Sequence, residues 1–273
     1  INIYMILEYV WIDGQNTIRS KTRIVSLFIR DKLKDISNVP MWNFDGSSTH
    51  QATTKDSEIL LKPVKLYIDP FRKDEFGSQL STNYLVLCET YNIDETPHKS
   101  NMRSKANTIF ETALEEKPLF GLEQEFFISE LSFGNLFPVD YKFNEDQGTS
   151  HYCGNGGNNI NHRYILEEIL DNLLYSNIEI TGMNAEVAPS QWEYQVCNEG
   201  INAADDLIML RYICNRTLEH YNFTMDIRAK PIEGDWNGSG CHINFSTEKM
   251  RTQSDTSYEI IENAINNLKL NHN

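Results

Sequence analysis

Glu186 and Glu193 stand symmetrically about Pro189-Ser190 in the segment Thr181-Gly-Met-Asn-Ala-Glu-Val-Ala-Pro-Ser-Gln-Trp-Glu-Tyr-Gln-Val196, and no other feature constrains the fold so tightly. Read as a β-hairpin with an even-length loop centred on the Pro-Ser pair, the segment sets Val187 opposite Trp192 and Glu186 opposite Glu193. Directly opposed residues hold their Cβ atoms about 4.5–5.5 Å apart. Two carboxylates at that distance repel by roughly 3 kcal/mol at an effective dielectric of about 20. A divalent cation between them is the simplest resolution, so the hairpin reads as half of a metal site.

The 273 residues are enough for one large domain or two smaller ones with cores of their own. The net charge is −15, from 24 basic against 39 acidic residues, with no basic run or stripe. Nucleic-acid binding by counterion release is therefore not expected. Cys88, Cys153, Cys197, Cys214 and Cys241 are odd in number, scattered and free of CxxC pairs. That pattern suits reduced thiols in a cytosolic compartment better than a disulfide framework or zinc ribbon. With no signal segment and no apolar run long enough for a bilayer, a cytoplasmic protein without a membrane partner is expected.

Residues 1–97 read as one strand-rich domain, with candidate strands at Tyr4 to Ile12, Arg23 to Arg30, Leu60 to Ile68 and Tyr84 to Tyr91. Thr96 to Ser100 looks like a linker, and residues 98–273 read as a second, α+β domain. Helical periodicity begins there with Met102, Ala106, Ile109, Phe110, Ala113 and Leu114. Further helices are expected over Asn161 to Tyr175, Ile201 to Tyr221 and Tyr258 to Leu270, with strands between them.

Phe120-Gly-Leu-Glu-Gln-Glu-Phe-Phe-Ile128 alternates in the strand period, placing Leu122, Gln124, Phe126 and Ile128 on one face and Glu123 and Glu125 on the other. On spacing alone this is either a half-buried strand with a wet acidic side or part of a metal site. In Cys241-His-Ile-Asn-Phe-Ser246, Cys241, Ile243 and Phe245 alternate as a buried side against His242, Asn244 and Ser246. His242 reads as a structural histidine or as a metal ligand. Trp42-Asn-Phe-Asp-Gly-Ser-Ser-Thr49 is a turn-rich loop whose plainest reading is an Asp-Gly turn anchored by two aromatics.

Together these motifs are specific. Val10-Trp-Ile-Asp-Gly14, Trp42 to Thr49, Asp69-Pro-Phe-Arg-Lys-Asp74, Gly121-Leu-Glu-Gln-Glu125 and Tyr152-Cys-Gly154 follow one another in order. So do Asn184-Ala-Glu-Val-Ala-Pro-Ser-Gln-Trp-Glu193, Lys230-Pro231, Trp236-Asn-Gly238 and Gly240 to Thr247. In this order the chain resembles the glutamine synthetase family of the eukaryotic type over nearly its whole length. The resemblance implies an α+β fold, an N-terminal β-grasp domain followed by a catalytic domain built on a curved antiparallel sheet with helices.

It further implies that Glu125, Glu186 and Glu193 bind one divalent metal, while Glu123 and His242 bind a second, with Mg²⁺ or Mn²⁺ suited to so oxygen-rich a set. Asp235, Trp236, Asn237 and Gly238 match the glutamate-contacting segment. Glu193, Tyr194 and Gln195, with Asn244, Phe245 and Ser246, match nucleotide contacts to ATP, the co-substrate. Asp45 matches an aspartate that binds and deprotonates ammonium at a site shared with a neighbouring subunit of a stacked-ring homo-oligomer. The implied reaction joins ammonia to L-glutamate through γ-glutamyl phosphate. Two alternatives are a non-catalytic paralogue of the same fold and a ligase joining glutamate to another amine.

The sequence departs from the family in the loop Gln195 to Gly200, which is one residue short, at Leu119 and at Ile227-Arg228-Ala229. The family's phosphate-clamping arginines, a third ligand to the second metal and a closing loop have no counterpart before Asn273. On this reading both ends of the chain are expected to be incomplete, and the polypeptide as given nearly inactive.

Overall fold

The computed structural model describes residues 4–26, 29, 32–33, 35–73, 83–132, 135–139, 150–157, 159–252 and 255–272. Alternation along strand β1 (Tyr4–Ile12) decides how the first half packs. Met5, Leu7, Tyr9 and Trp11 enter one buried cluster and Val10 enters another, so β1 is covered on both faces. It lies inside a five-stranded sheet ordered β2-β1-β5-β4-β3. The partners are β2 (Ile18–Ser26), β5 (Tyr84–Tyr91), β4 (Glu58–Ile68) and β3 (Trp42–Asp45). Only β1 and β5 run parallel; the other neighbours are antiparallel.

Two expectations for this region are corrected. The strand sought at Arg23 to Arg30 is Ile18–Ser26, with Arg30 outside the described residues. It begins earlier because the preceding turn is tight enough for Ile12 to pair with Ile18. The turn-rich loop at Trp42 to Thr49 is a strand for its first half, since Trp42 and Phe44 pair with Leu61 and Ile59, and a 3-10 turn from Gly46.

Asp13 sets the β1–β2 turn. Its carboxylate accepts from the backbone N–H groups of Gln15 (2.8 Å) and Thr17 (2.9 Å) and from Arg19 Nε (2.9 Å), while fully buried. Burial opposes its ionisation, yet the Thr17 N–H, the Arg19 guanidinium and the Gln15 N–H outweigh it and hold the carboxyl below the ordinary aspartate range. Asp13→Ala, which orphans two N–H groups, is expected to cost about 2–4 kcal/mol in urea unfolding at neutral pH. A carboxyl with a depressed folded pKa binds fewer protons in the native state than in the unfolded one. Its contribution is therefore present at neutral pH and is lost as pH falls through the folded pKa. The gap between wild type and Asp13→Ala should narrow on acidification.

The second half is organised around β6 (Leu119–Ser132). On one side lies β9 (Gln191–Glu199), followed by β8 (Ile180–Ala185). The other side of β6 is shared end to end by β11 (Cys241–Ser246), opposite residues 119–124, and β10 (Thr224–Asp226), opposite 127–129. β7 (Asn135–Pro138) folds back on the end of β6. The helices are α1 (Met102–Thr112), α2 (Arg163–Tyr175), α3 (Ile201–Glu219), α4 (Glu248–Arg251) and α5 (Asp255–Asn271). Leu166, Ile169 and Leu173 of α2 and Met209, Leu210 and Ile213 of α3 pack with Leu122, Phe126 and Ile128 behind the sheet.

Two side-chain expectations fail here. Met102 and Ile109 of α1 are exposed, because the helix meets α3 and β6 through Arg103 and Phe110 instead. Ile243 and Phe245 of β11 are also exposed, since β11 pairs only with β6 among the described residues and lacks a covering layer.

The two sheets are joined. Val10, Tyr67, Leu85 and Leu87 belong to the same buried cluster as the α3 side chains. Arg103 pairs with Glu89 of β5 and Asp205 of α3, and Lys65 and Tyr67 of β4 both bond Asp206 of α3. All five cysteines are free thiols. Among the described residues no helix is long and apolar enough to cross a membrane.

Candidate metal centre

The face of the second sheet opposite the helices gathers the acidic residues. Glu125 of β6 lies directly across from Glu193 of β9, and Glu123 lies across from Gln195 on one side and His242 of β11 on the other. The expected hairpin forms, but in another register. Pro189 and Ser190 are the central pair of a turn closed by Gln191 N–H to Ala188 C=O (3.0 Å), with Ser190 in the left-handed region at φ 65°. β8 then leaves Val187 and Ala188 out of the ladder, which closes between Glu186 N and Gln191 O at 2.9 Å. Asn184, not Glu186, therefore faces Glu193.

Gln191 causes the offset. Its side-chain oxygen accepts from Ala188 N at 3.2 Å, replacing a ladder carbonyl. A shift of two keeps every side chain on its face, so Glu186 remains a diagonal neighbour of Glu193.

One carboxylate oxygen each from Glu125, Glu186 and Glu193 lie within 4.8 Å of one another. Glu186 and Glu193 are buried. Burial, then Glu125 beside it, pushes the Glu186 carboxyl above the ordinary range against the donation of Asn184; burial and Glu186 do the same to Glu193 against Gln195. No Lys or Arg pairs with these three carboxylates among the described residues. Neutral donors hold them in place: Asn184 Nδ2 to Glu186 (2.9 Å), Gln195 Nε2 to Glu193 (2.6 Å) and Gly240 N to Glu125 (2.7 Å). Each bond engages one oxygen. Glu123 accepts from Asn244 Nδ2 (2.7 Å) and stands 3.5 Å from His242 Nδ1. The donor set is oxygen-rich with one imidazole, and it fits a hard divalent cation.

The segment Asp235 to Gly238 borders this face. Trp236 packs on Phe127, Ala188 and Ile232, and Asn237 Nδ2 donates to Gln191 Oε1 (2.9 Å). Gln191 Nε2 donates in turn to Gly238 O at 2.8 Å. A Cβ at Gly238 would stand 2.6 Å from the Ala229 carbonyl oxygen, so the loop closes only with glycine there. Asp235 is exposed.

Other expected site residues lie elsewhere. Tyr194 is fully buried on the helix side, stacked on Phe126 and donating to Leu166 O at 2.6 Å, so a nucleotide contact through its side chain is corrected. Its parity along β9 is opposite to that of Glu193 and Gln195. Phe245 likewise points to the helix side, against Phe120, whereas Asn244 is on the acidic face and Ser246 bonds Arg251. Asp45 is exposed at the end of β3. Its carboxylate accepts from Ser47 N and Oγ, which hold it below the ordinary range, and none of its contacts reaches the acidic face.

Two residues that the sequence did not single out support the site. Gln191 is one. His151 is the other, buried and donating from Nδ1 to the Glu186 carbonyl at 2.6 Å, with its ring edge-on to Trp192. The run Tyr152-Cys-Gly154 beside it was the available signal. His151→Ala is expected to weaken Mn²⁺ binding about tenfold or more, the usual cost of removing a partner behind a ligand. Titration by electron paramagnetic resonance checks this, with an unchanged far-UV spectrum as the control.

Comparison with known proteins gives the family. Residues 4–93 match the profile of the glutamine synthetase beta-Grasp domain, and residues 99–259 match that of the glutamine synthetase catalytic domain. The chain belongs to the glutamine synthetase family. It is 42% identical over 268 residues to a putative glutamine synthetase of Acanthamoeba polyphaga mimivirus, covering 98% of this chain and 72% of that protein. It is 43% identical to the glutamine synthetase of Hebeloma cylindrosporum, covering 97% and 71%. With that of Saccharomyces cerevisiae it shares 42%, over 98% and 69%. As in the glutamine synthetase family, an N-terminal β-grasp domain precedes a catalytic domain on a curved antiparallel sheet with helices, an α+β fold.

Proposed function

We propose that this chain is an ATP-dependent glutamate–ammonia ligase, dividing at 97/98 into β-grasp and catalytic domains. One observation carries the reading: three carboxylates within 4.8 Å of one another, two of them buried, with no basic partner among the described residues. Glu125, Glu186 and Glu193 would hold one Mg²⁺ or Mn²⁺, and Glu123 with His242 a second. Such ions neutralise the charge that builds up on a transferring phosphoryl group.

The chain's own groups do the rest. Gln191 anchors Trp236 to Gly238 beside the cluster, a wall against which L-glutamate is oriented. Gln195 and Asn244 lie on the same face, where ATP would sit. The glutamate γ-carboxylate attacks the γ-phosphorus, ADP leaves, and Asp45 of a neighbouring subunit takes a proton from ammonium. Ammonia then displaces phosphate from γ-glutamyl phosphate. The reading includes a cytoplasmic, ring-stacked homo-oligomer.

The test is glutamine formation by the purified chain from L-glutamate, ammonium, ATP and Mg²⁺ or Mn²⁺, with ADP release followed in parallel. No glutamine and no ADP from a folded, Mn²⁺-binding protein would sink the ligase reading. Product formed only when ammonium is replaced by another amine would favour the amine-ligase alternative.

A further inference from the structure

A cleft of about 640 Å³ lies at the junction of the two sheets, on the helix side and away from the acidic face. Its walls are the β1–β2 turn, one side of α3 and the start of β10, with Ile12, Ile18, Ile208, Phe223 and Met225 supplying apolar surface. A smaller hollow of about 270 Å³ adjoins it and shares Ile12, Asn16 and Ile208.

Two arginines of α3 line the larger cleft. Arg216 is neutralised by Glu219 at 2.8 Å, but its Nε is buried without a hydrogen-bond partner. Arg211 has no carboxylate partner among the described residues. Its Nε and Nη2 both donate to a neutral acceptor, Gln124 Oε1, the first at 2.8 Å, and its other side-chain partner is the Cys241 thiol. Burial costs its charge and pushes the guanidinium below the ordinary arginine range, yet arginine stays protonated in proteins. A half-buried guanidinium whose side-chain partners, Gln124 and Cys241, are an amide and a thiol has no counter-charge beside it. Since Arg216 and Glu219 cancel, the cleft carries one unmatched positive charge. Nearby carboxylates are already engaged: Glu8 by Thr22 and Arg72, Asp69 by Arg72, and Asp226 by Arg228.

We propose that this cleft is a binding site for a small organic monocarboxylate, its head on Arg211 and its apolar body against Ile12, Ile208 and Phe223. A planar carboxylate matches the guanidinium fork, and an aliphatic or aromatic body matches the walls. The site is separate from the acidic face and requires neither metal nor nucleotide.

The test is calorimetric titration of the full chain with hexanoate, with hexan-1-ol and inorganic phosphate as comparison probes and no metal or nucleotide present. Because no turnover is read, failure here is distinct from failure of the ligase reading. Hexanoate is expected to bind saturably and hexan-1-ol not at all. Arg211→Met should weaken hexanoate by about tenfold or more, the usual scale for a lost charge-assisted pair. Ile208→Trp, which fills the cleft and leaves Arg211 and Gln124 in place, should weaken it similarly, and it keeps the test open if Arg211→Met does not fold. Absence of saturable hexanoate binding by the wild type would overturn the proposal. So would unchanged binding in a folded variant, or phosphate binding as tightly as hexanoate.

Discussion

Glu193→Gln is expected to weaken Mn²⁺ binding at the acidic face steeply and, in metal-free buffer, to raise the melting temperature. Both effects have one origin. Glu193 lies across the ladder from Glu125, and the oxygens of Glu125, Glu186 and Glu193 lie within 4.8 Å of one another. Two full charges 4.8 Å apart repel by about 3 kcal/mol at an effective dielectric near 20. Proton uptake relieves part of this, so the metal-free variant should gain about 1–2 kcal/mol, or a rise of about 2–5 °C. Metal affinity should fall by about a hundredfold or more, beyond the loss from a supporting residue.

The pH dependence follows from the raised pKa values of Glu186 and Glu193. Between the ordinary and the raised value the native state binds more protons than the unfolded chain, so wild-type stability falls as pH rises through that window. The advantage of Glu193→Gln should be widest at mildly alkaline pH and should vanish on acidification. Saturating Mn²⁺ should invert the order, since only the wild type gains stability by binding. Melting curves with and without Mn²⁺ decide it. A metal-free variant less stable than wild type would contradict the repulsion argument.

Arg103→Met carries the second large effect. The guanidinium grips Asp205 through two bonds of 2.7 and 2.8 Å and Glu89 through one of 2.7 Å. Both carboxylates are buried. Burial disfavours the Arg103 charge, but the bonds to Asp205 and then Glu89 overcome it and raise its pKa. Without the arginine, two buried anions from two different sheets' packing layers face each other uncompensated. The expected cost is about 3–5 kcal/mol, the range for breaking a buried pair by removing one partner. Urea unfolding measures it. Adding Asp205→Asn and Glu89→Gln should recover much of the loss, because the penalty lies in the orphaned charges. A loss below about 1 kcal/mol, the scale of a surface pair, would show the network to be solvated.

The sequence was most legible where period two and burial coincide. In β6, Leu122, Phe126 and Ile128 fall to the helices and Glu123 and Glu125 to the open face, as alternation requires. The hairpin was visible too, but its register was not. That depends on Ser190 holding a positive φ and on the Gln191 side chain replacing a ladder carbonyl, and neither has a local signature. Parity in β9 already set Tyr194 apart from Glu193; assigning it to the nucleotide followed the motif rather than the alternation. His151 was hidden for another reason. Its contact with Glu186 spans 35 residues, and only the assembled fold makes it. The exposure of Ile243 and Phe245 belongs to the same class, because alternation shows which face a residue takes but not whether anything covers that face.

Most of the acidic residues hang from hydrogen-bonded neighbouring strands, and this fixes the pitch of the site. For the directly opposed Glu125 and Glu193, the spacing between carboxylate roots is that of the ladder itself, about 4.8 Å between strands, and no side-chain substitution alters it. What remains adjustable is reach. Shortening one glutamate to aspartate draws an oxygen back by about one carbon–carbon bond, roughly 1.5 Å. That is several times the difference between the coordination radii of Mg²⁺ and Ca²⁺. Choice among ions is therefore set by side-chain length on a backbone of constant gauge, and it can drift within this architecture without a change of fold.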